Sequence, residues 1–158
     1  MVSASKGTSV AASAEIQSEP NLPQVLQPGG WPRPAGYANG MTAEGRMVLT
    51  GGVVGWDVAG VFSDDFVQQV KQTLENILAI LTEGGAHAEN LVRLTWYVVD
   101  IEEYLSNLKA IGRAYREVFG SHYPTMALVQ VVRLVEKSAR VEIEATAIVS
   151  RPSPAGRE

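Results

Sequence analysis

The 158 residues suffice for one domain with a substantial hydrophobic core and are too few for two of ordinary size. A hydrophobic fraction of 46%, a charged fraction of 19% and a net charge of −4 describe a globular chain with a mildly acidic surface, and the 13 Lys and Arg form no basic run, so no nucleic-acid partner is expected. The absence of cysteine excludes disulfides, thiolate nucleophiles and thiolate metal sites, and no stretch approaches the roughly 18 consecutive apolar residues that cross a bilayer, so a cytoplasmic protein with no membrane partner is expected.

Residues 1–34 read as a flexible N-terminal tail. The start is rich in Ser, Ala and Gln without the basic and apolar regions of a secretory signal, and Pro20 to Pro34 holds five prolines with Gly29 and Gly30. Order is expected from Ala35. Tyr37–Thr42 and Met47–Thr50 flank a turn-sized insert, Ala43-Glu44-Gly45-Arg46, a pattern that predicts a β-hairpin. The glycines at 51, 52, 55 and 60 then suit a loop running close to other backbone or to a ligand.

Apolar residues at 66, 67, 70, 74, 77, 78 and 81 predict an amphipathic helix, with Ser63 as N-cap and Gly84-Gly85 as stop. Leu91–Asp100 predicts a strand with Val92, Leu94, Trp96 and Val98 on one face. Asp100 with Glu103 then caps a second helix with the stripe Tyr104, Leu108, Ile111, Tyr115 and Val118, ending at Gly120 and weakened by Gly112. Two strands follow, about 127–132 and 139–149. The last alternates Val141, Ile143, Ala145 and Ala147 against Glu142 and Glu144.

The order β-β-α-β-α-β-β gives an α/β (α+β) domain over 35–150: one mixed sheet with two helices packed on one face, and a C-terminal tail at 151–158. The other face carries Tyr97, Val99 and Ile148, which favours its burial between copies of the chain.

Several segments carry a resemblance to a known family: Ala35-Gly36-Tyr37, Val48-Leu49-Thr50-Gly51-Gly52, Gln72 to Ile77, and Tyr123-Pro124 through Arg133-Leu134 to Val141-Glu142-Ile143-Glu144-Ala145-Thr146-Ala147. Together they resemble the RidA/YjgF family, over about 35–149. The resemblance implies a chorismate-mutase-like fold and a homotrimer with three intersubunit clefts. It also implies hydrolysis of reactive enamines and imines, such as 2-aminoacrylate, to the ketone and ammonia. The residues themselves predict no nucleotide cofactor, since 51–60 has neither a GxGxxG nor a Walker pattern, and no metal, since the two histidines have no ligand spacing. In the family an arginine just beyond the Tyr-Pro step clamps the substrate carboxylate; here that place holds Met126. A serine or threonine gives way to Gly51, and an asparagine of the second helix to Gly112. Glu142 resembles the family's proton-transferring glutamate.

The candidate site is therefore Glu142 as the catalytic residue, with Tyr37, Gly51, Gly52, Met126, Ala127, Leu128 and Gly112 binding substrate. A carboxylate in a subunit cleft suits general acid–base work, against the competing reading of a salt bridge with Arg140 or Arg133. Tyr37 serves equally as ligand donor or interface residue. Met126 admits three readings: a core filler, a soft wall for a larger apolar ligand, or a mark of lost activity. His122 is a proton shuttle or a surface residue at a helix end, and His87 an exposed turn residue. For Trp56 and Trp96 core filling is preferred to pocket lining. The function expected is a hydrolytic deaminase of altered specificity, acting on a larger enamine such as one from aromatic-ring degradation. The alternative is a non-catalytic ligand-binding or regulatory trimer. A ribonuclease is disfavoured by the acidic balance and the scarcity of histidine.

Overall fold

A computed structural model describes residues 21–151; the expectations for 1–20 and 152–158 lie outside the described residues. In chain order the strands are β1 (Gln24–Leu26), β2 (Gly40–Thr42), β3 (Arg46–Leu49), β4 (Val53–Val54), β5 (Leu91–Val98), β6 (Thr125–Gln130) and β7 (Val141–Val149). The helices are α1 (Phe66–Glu83), α2 (Ile101–Ser106) and α3 (Leu108–Phe119). The main sheet runs β3-β7-β5-β6, with β4 also on β7; β5 and β6 are parallel and the other pairs antiparallel.

Period-two alternation in the two central strands decides which face is covered. Leu94, Trp96 and Val98 pair in register with Ala145, Ile143 and Val141, and all six are buried under α1 and α3. Helix α1 contributes Val70, Leu74, Ile77 and Leu81, each fully buried, and α3 contributes Ile111, Tyr115 and Phe119. The opposite face carries Thr95, Tyr97, Glu142 and Glu144, and no helix among the described residues covers it. It leaves Met47 58%, Leu49 60% and Val129 47% exposed.

The structure corrects four local expectations. Within the stretch read as tail, β1 pairs with β2 over Gln24↔Thr42 to Leu26↔Gly40, so the chain is ordered before Ala35. The expected hairpin does not form: β2 pairs with β1, and β3 pairs with β7 from Arg46↔Val149 to Leu49↔Thr146. The reason lies at Gly45, at φ 154°, where a Cβ would stand 2.1 Å from the Val149 carbonyl oxygen. The backbone there lies against β7 instead of folding back on β2.

The cap of α1 is Asp65, not Ser63: its Oδ1 accepts from the Gln68 backbone N–H at 2.8 Å, while Ser63 Oγ accepts from Asp65 N–H one step earlier. Asp65→Ala is expected to cost about 1 kcal/mol and Ser63→Ala distinctly less, as read from denaturant midpoints. Finally, the second helix is two. Asn107 donates its side-chain amide to the Glu103 carbonyl and its backbone N–H to Tyr104, three residues back, and this local competition ends α2. Gly112, expected as the weak point, sits inside an unbroken α3.

Candidate active site

Glu142 projects from β7 onto the open face, flanked in register by Tyr97 on β5 and Val54 on β4. Its neighbour Glu144 is already engaged, because the Tyr97 hydroxyl donates to Glu144 Oε2 at 3.0 Å. That hydrogen bond, with desolvation and the two carboxylates, raises the Tyr97 pKa and keeps the phenol protonated. Glu142, by contrast, has neither hydrogen-bond partner nor ion pair among the described residues. Arg140, a partner weighed from the sequence, is committed elsewhere. Its guanidinium pairs with Glu103, donates to the Asp64 carbonyl and lies 5.6 Å from the centre of the Phe66 ring.

Gly52 meets the carboxylate directly: a Cβ at this position would lie 1.8 Å from Glu142 Oε1. The glycine is therefore required by close approach. Thr50 pins the loop that carries it, since its N–H donates to the Ala145 carbonyl at 3.0 Å and its Oγ1 accepts from Ala145 N–H at 2.9 Å. Gly51, between them, faces open space.

The remaining candidates are divided between the two sides of the sheet. Ala38 bridges to Thr125 and donates its N–H to the Pro124 carbonyl at 2.9 Å, which sets Tyr37 beside the start of β6. On β6, Ala127 pairs with Thr95 and shares the open face with Glu142. Met126 and Leu128 pair with Leu94 and Trp96, so they turn to the helix side and pack against the core. Core filling thus describes the place of Met126 within a single chain. Gly112 is also on the helix side, carried by α3, and does not join Glu142.

A cavity of about 370 Å³ opens beside Tyr37, between the β1 segment and the turn before β6. Tyr37, Arg33, His122 and Tyr123 line it. Tyr123 stacks on Tyr115 with centroids 5.1 Å apart, and burial raises the Tyr115 pKa, so its hydroxyl stays protonated and donates to the His122 carbonyl at 2.7 Å. His122 Nε2 lies 2.7 Å from the Leu91 carbonyl, which only accepts, so Nε2 carries the proton. This histidine is tied into the fold and is not a free surface residue. His87 is exposed, Trp96 is core, and Trp56 is 45% exposed with its ring edge against Phe62. Among the described residues no three His, Asp or Glu gather closely enough to hold a metal ion. Nor is any helix there long and apolar enough to cross a membrane.

The described residues thus form a small α+β domain, a mixed sheet covered on one side by helices and open on the other, where the Glu142 carboxylate stands against Gly52. The family described as Endoribonuclease L-PSP matches residues 32–149. A 2-iminobutanoate/2-iminopropanoate deaminase of Salmonella typhimurium is 32% identical over 108 residues, 66% of this chain and 80% of the relative. A protein of Escherichia coli named putative reactive intermediate deaminase TdcF is 32% identical over 110 residues, 67% of this chain and 81% of its own. Among solved structures, a Rid family protein of Yersinia pestis superposes with a TM-score of 0.70 at 28% identity, covering 80% of this chain and 98% of that one. E. coli TdcF with bound serine gives 0.59 at 30% identity, covering 80% and 99%. The chain belongs to this family, the RidA/YjgF family that its sequence resembles.

Two features escape a reading of sequence alone. The sequence puts Tyr97 on the open face, but its hold on Glu144 depends on the β5–β7 register. Arg33 lies in the stretch expected as tail, and no local pattern marks it as lining a cavity.

Proposed function

We propose that the chain is a cofactor-free hydrolytic deaminase acting on a reactive enamine or imine, in clefts formed where three copies of it meet. The observation that carries this is the carboxylate of Glu142, unpaired among the described residues and seated against Gly52 on the open sheet face. The names of the deaminase relatives support the reaction class. The exposed Met47, Leu49 and Val129 on the same face support closure by neighbouring chains.

The chemistry asks little beyond placement and proton transfer. An enamine first takes a proton from solvent at carbon to become the iminium ion. Water then attacks the iminium carbon while the Glu142 carboxylate accepts its proton, giving a neutral carbinolamine. Return of that proton to nitrogen makes it a leaving group, and ammonia departs as the hydroxyl loses its proton to solvent and the carbonyl forms, so iminium and water yield ketone, ammonia and a proton. Backbone groups near Gly52 and Ala127 place the water. With no arginine at position 126 to clamp a carboxylate, the substrate is larger and more apolar than 2-aminoacrylate.

Ammonia release tests this, measured on 2-aminoacrylate and on bulkier, aromatic enamines. Faster turnover of the bulkier compounds is expected. The absence of Arg at 126 favours one rival, a trimer that binds small ligands without turning them over. Zero release from every enamine, with ligand binding intact, would establish it. Gly52→Ala provides a finer check. The displaced group is the end of a flexible side chain, so the fold survives, while a shift of about 1 Å in the carboxylate lowers turnover about 100-fold.

A further inference from the structure

We propose that Arg33, in the segment before the first family-like strand, supplies the cation for a carboxylate ligand that position 126 does not. The substrate class is then a small aromatic carboxylic acid. Arg33 lines the cavity of about 370 Å³ with Val25, Gln27, Tyr37, His122 and Tyr123, and no lining residue is acidic. Among the described residues no carboxylate pairs with this guanidinium, since the ion pairs there are Lys71–Glu117 and Arg140–Glu103. On a chain of net charge −4 this is a local positive site in a concave place, which selects an anion.

The walls specify the rest of the ligand. Val25, Pro34 and Tyr123 present apolar and aromatic surface, and the Tyr37 and Ser121 hydroxyls add neutral polar groups. A volume of about 370 Å³ lies at the small end of ligand pockets, which span about 300–1,000 Å³. Gln27 braces the segment from one side: its Nε2 donates to the Trp31 carbonyl at 3.0 Å, two residues before Arg33. The pairing of β1 with β2 braces it from the other. The cavity abuts the start of β6 through the Ala38–Thr125 bridge, one residue from Met126. The cation thus enters from a different stretch of chain beside the same strand, as a planar fork suited to bidentate carboxylate binding. The assignment of this ligand as substrate rests on the deaminase reading; the binding site itself does not.

The test is titration of the full chain with benzoate and with its neutral isostere benzamide, followed by calorimetry. The wild type is expected to prefer the acid by about tenfold or more. Arg33→Ala removes that preference, Arg33→Lys keeps part of it, and Lys137→Gln, a remote cation, leaves it intact. Circular dichroism verifies that the Arg33 variants fold, as expected for an exposed residue. Equal binding of acid and amide by the wild type, or an acid preference that survives Arg33→Ala, overturns the proposal. A protein that shows the Arg33-dependent preference but releases no ammonia would retain the site and lose the deaminase reading. One that turns over enamines with no effect of Arg33→Ala on acid preference would do the reverse.

Discussion

Glu142→Gln is expected to lower ammonia release by about 100- to 10,000-fold while leaving the thermal midpoint close to that of the wild type. The amide keeps the size of the side chain and its place beside Gly52, but it neither accepts the proton of attacking water nor returns it to the leaving nitrogen. Because Glu142 is partly exposed on the open face and makes no ion pair among the described residues, its replacement removes little stabilising interaction. The matched control is Glu144→Gln. That carboxylate sits two residues along on the same face but accepts from the Tyr97 hydroxyl, so its loss should change turnover by a few-fold at most. Equal losses in the two variants would show that general negative charge on the face, and not a positioned base, supports the reaction.

Trp96→Ala is expected to destabilise the fold by about 3–5 kcal/mol, the range for emptying a large buried aromatic site. Trp96 is 2% exposed on the central strand, with Ile143 beside it and the Tyr104 ring edge-on at 6.2 Å. Its indole Nε1 is buried without a hydrogen-bond partner among the described residues. A buried unsatisfied donor costs about 1–3 kcal/mol, so Trp96→Phe removes that penalty along with part of the ring. The phenylalanine variant should therefore lose much less stability than the alanine variant. Urea midpoints with unchanged slopes give the comparison.

Much of this architecture is legible in the chain because the informative signals are local. Val141 to Ala147 alternates strictly with Glu142 and Glu144, and the structure buries the first set and leaves the second on the open face. The apolar spacing from Phe66 to Leu81 likewise defines α1, which buries Phe66, Val70, Leu74, Ile77 and Leu81 of the stripe and, beside them, the polar Gln69 and Thr73. What local pattern does not contain is the choice of partner. The turn at Ala43–Arg46 looks the same whether its flanks pair with each other or, as here, with β1 and β7. For β6 the face of Met126 depends on register with β5, since a shift of one residue turns every side chain over. The split at Asn107 arises from a side-chain amide that competes with the backbone, a contest that apolar periodicity does not record.

The candidate residues were legible one by one, but not their grouping. Glu142 and Gly52 stand together, while Gly112 lies across the sheet on α3. Tyr37 and Met126 lie near one end of β6, whereas Glu142 stands level with Val129, three residues further along that strand. On the proposed deaminase reading, a ligand held near Tyr37 reaches a Glu142 carboxylate across a seam between chains, so that reading depends on assembly.

Sedimentation equilibrium of the full chain at micromolar concentration tests that dependence most directly. A mass of three 17.0 kDa chains, falling to one when Leu49, 60% exposed on the open face, is changed to Asp, is the predicted result. A wild-type protein that sediments as a single chain while still releasing ammonia from enamines would contradict the account.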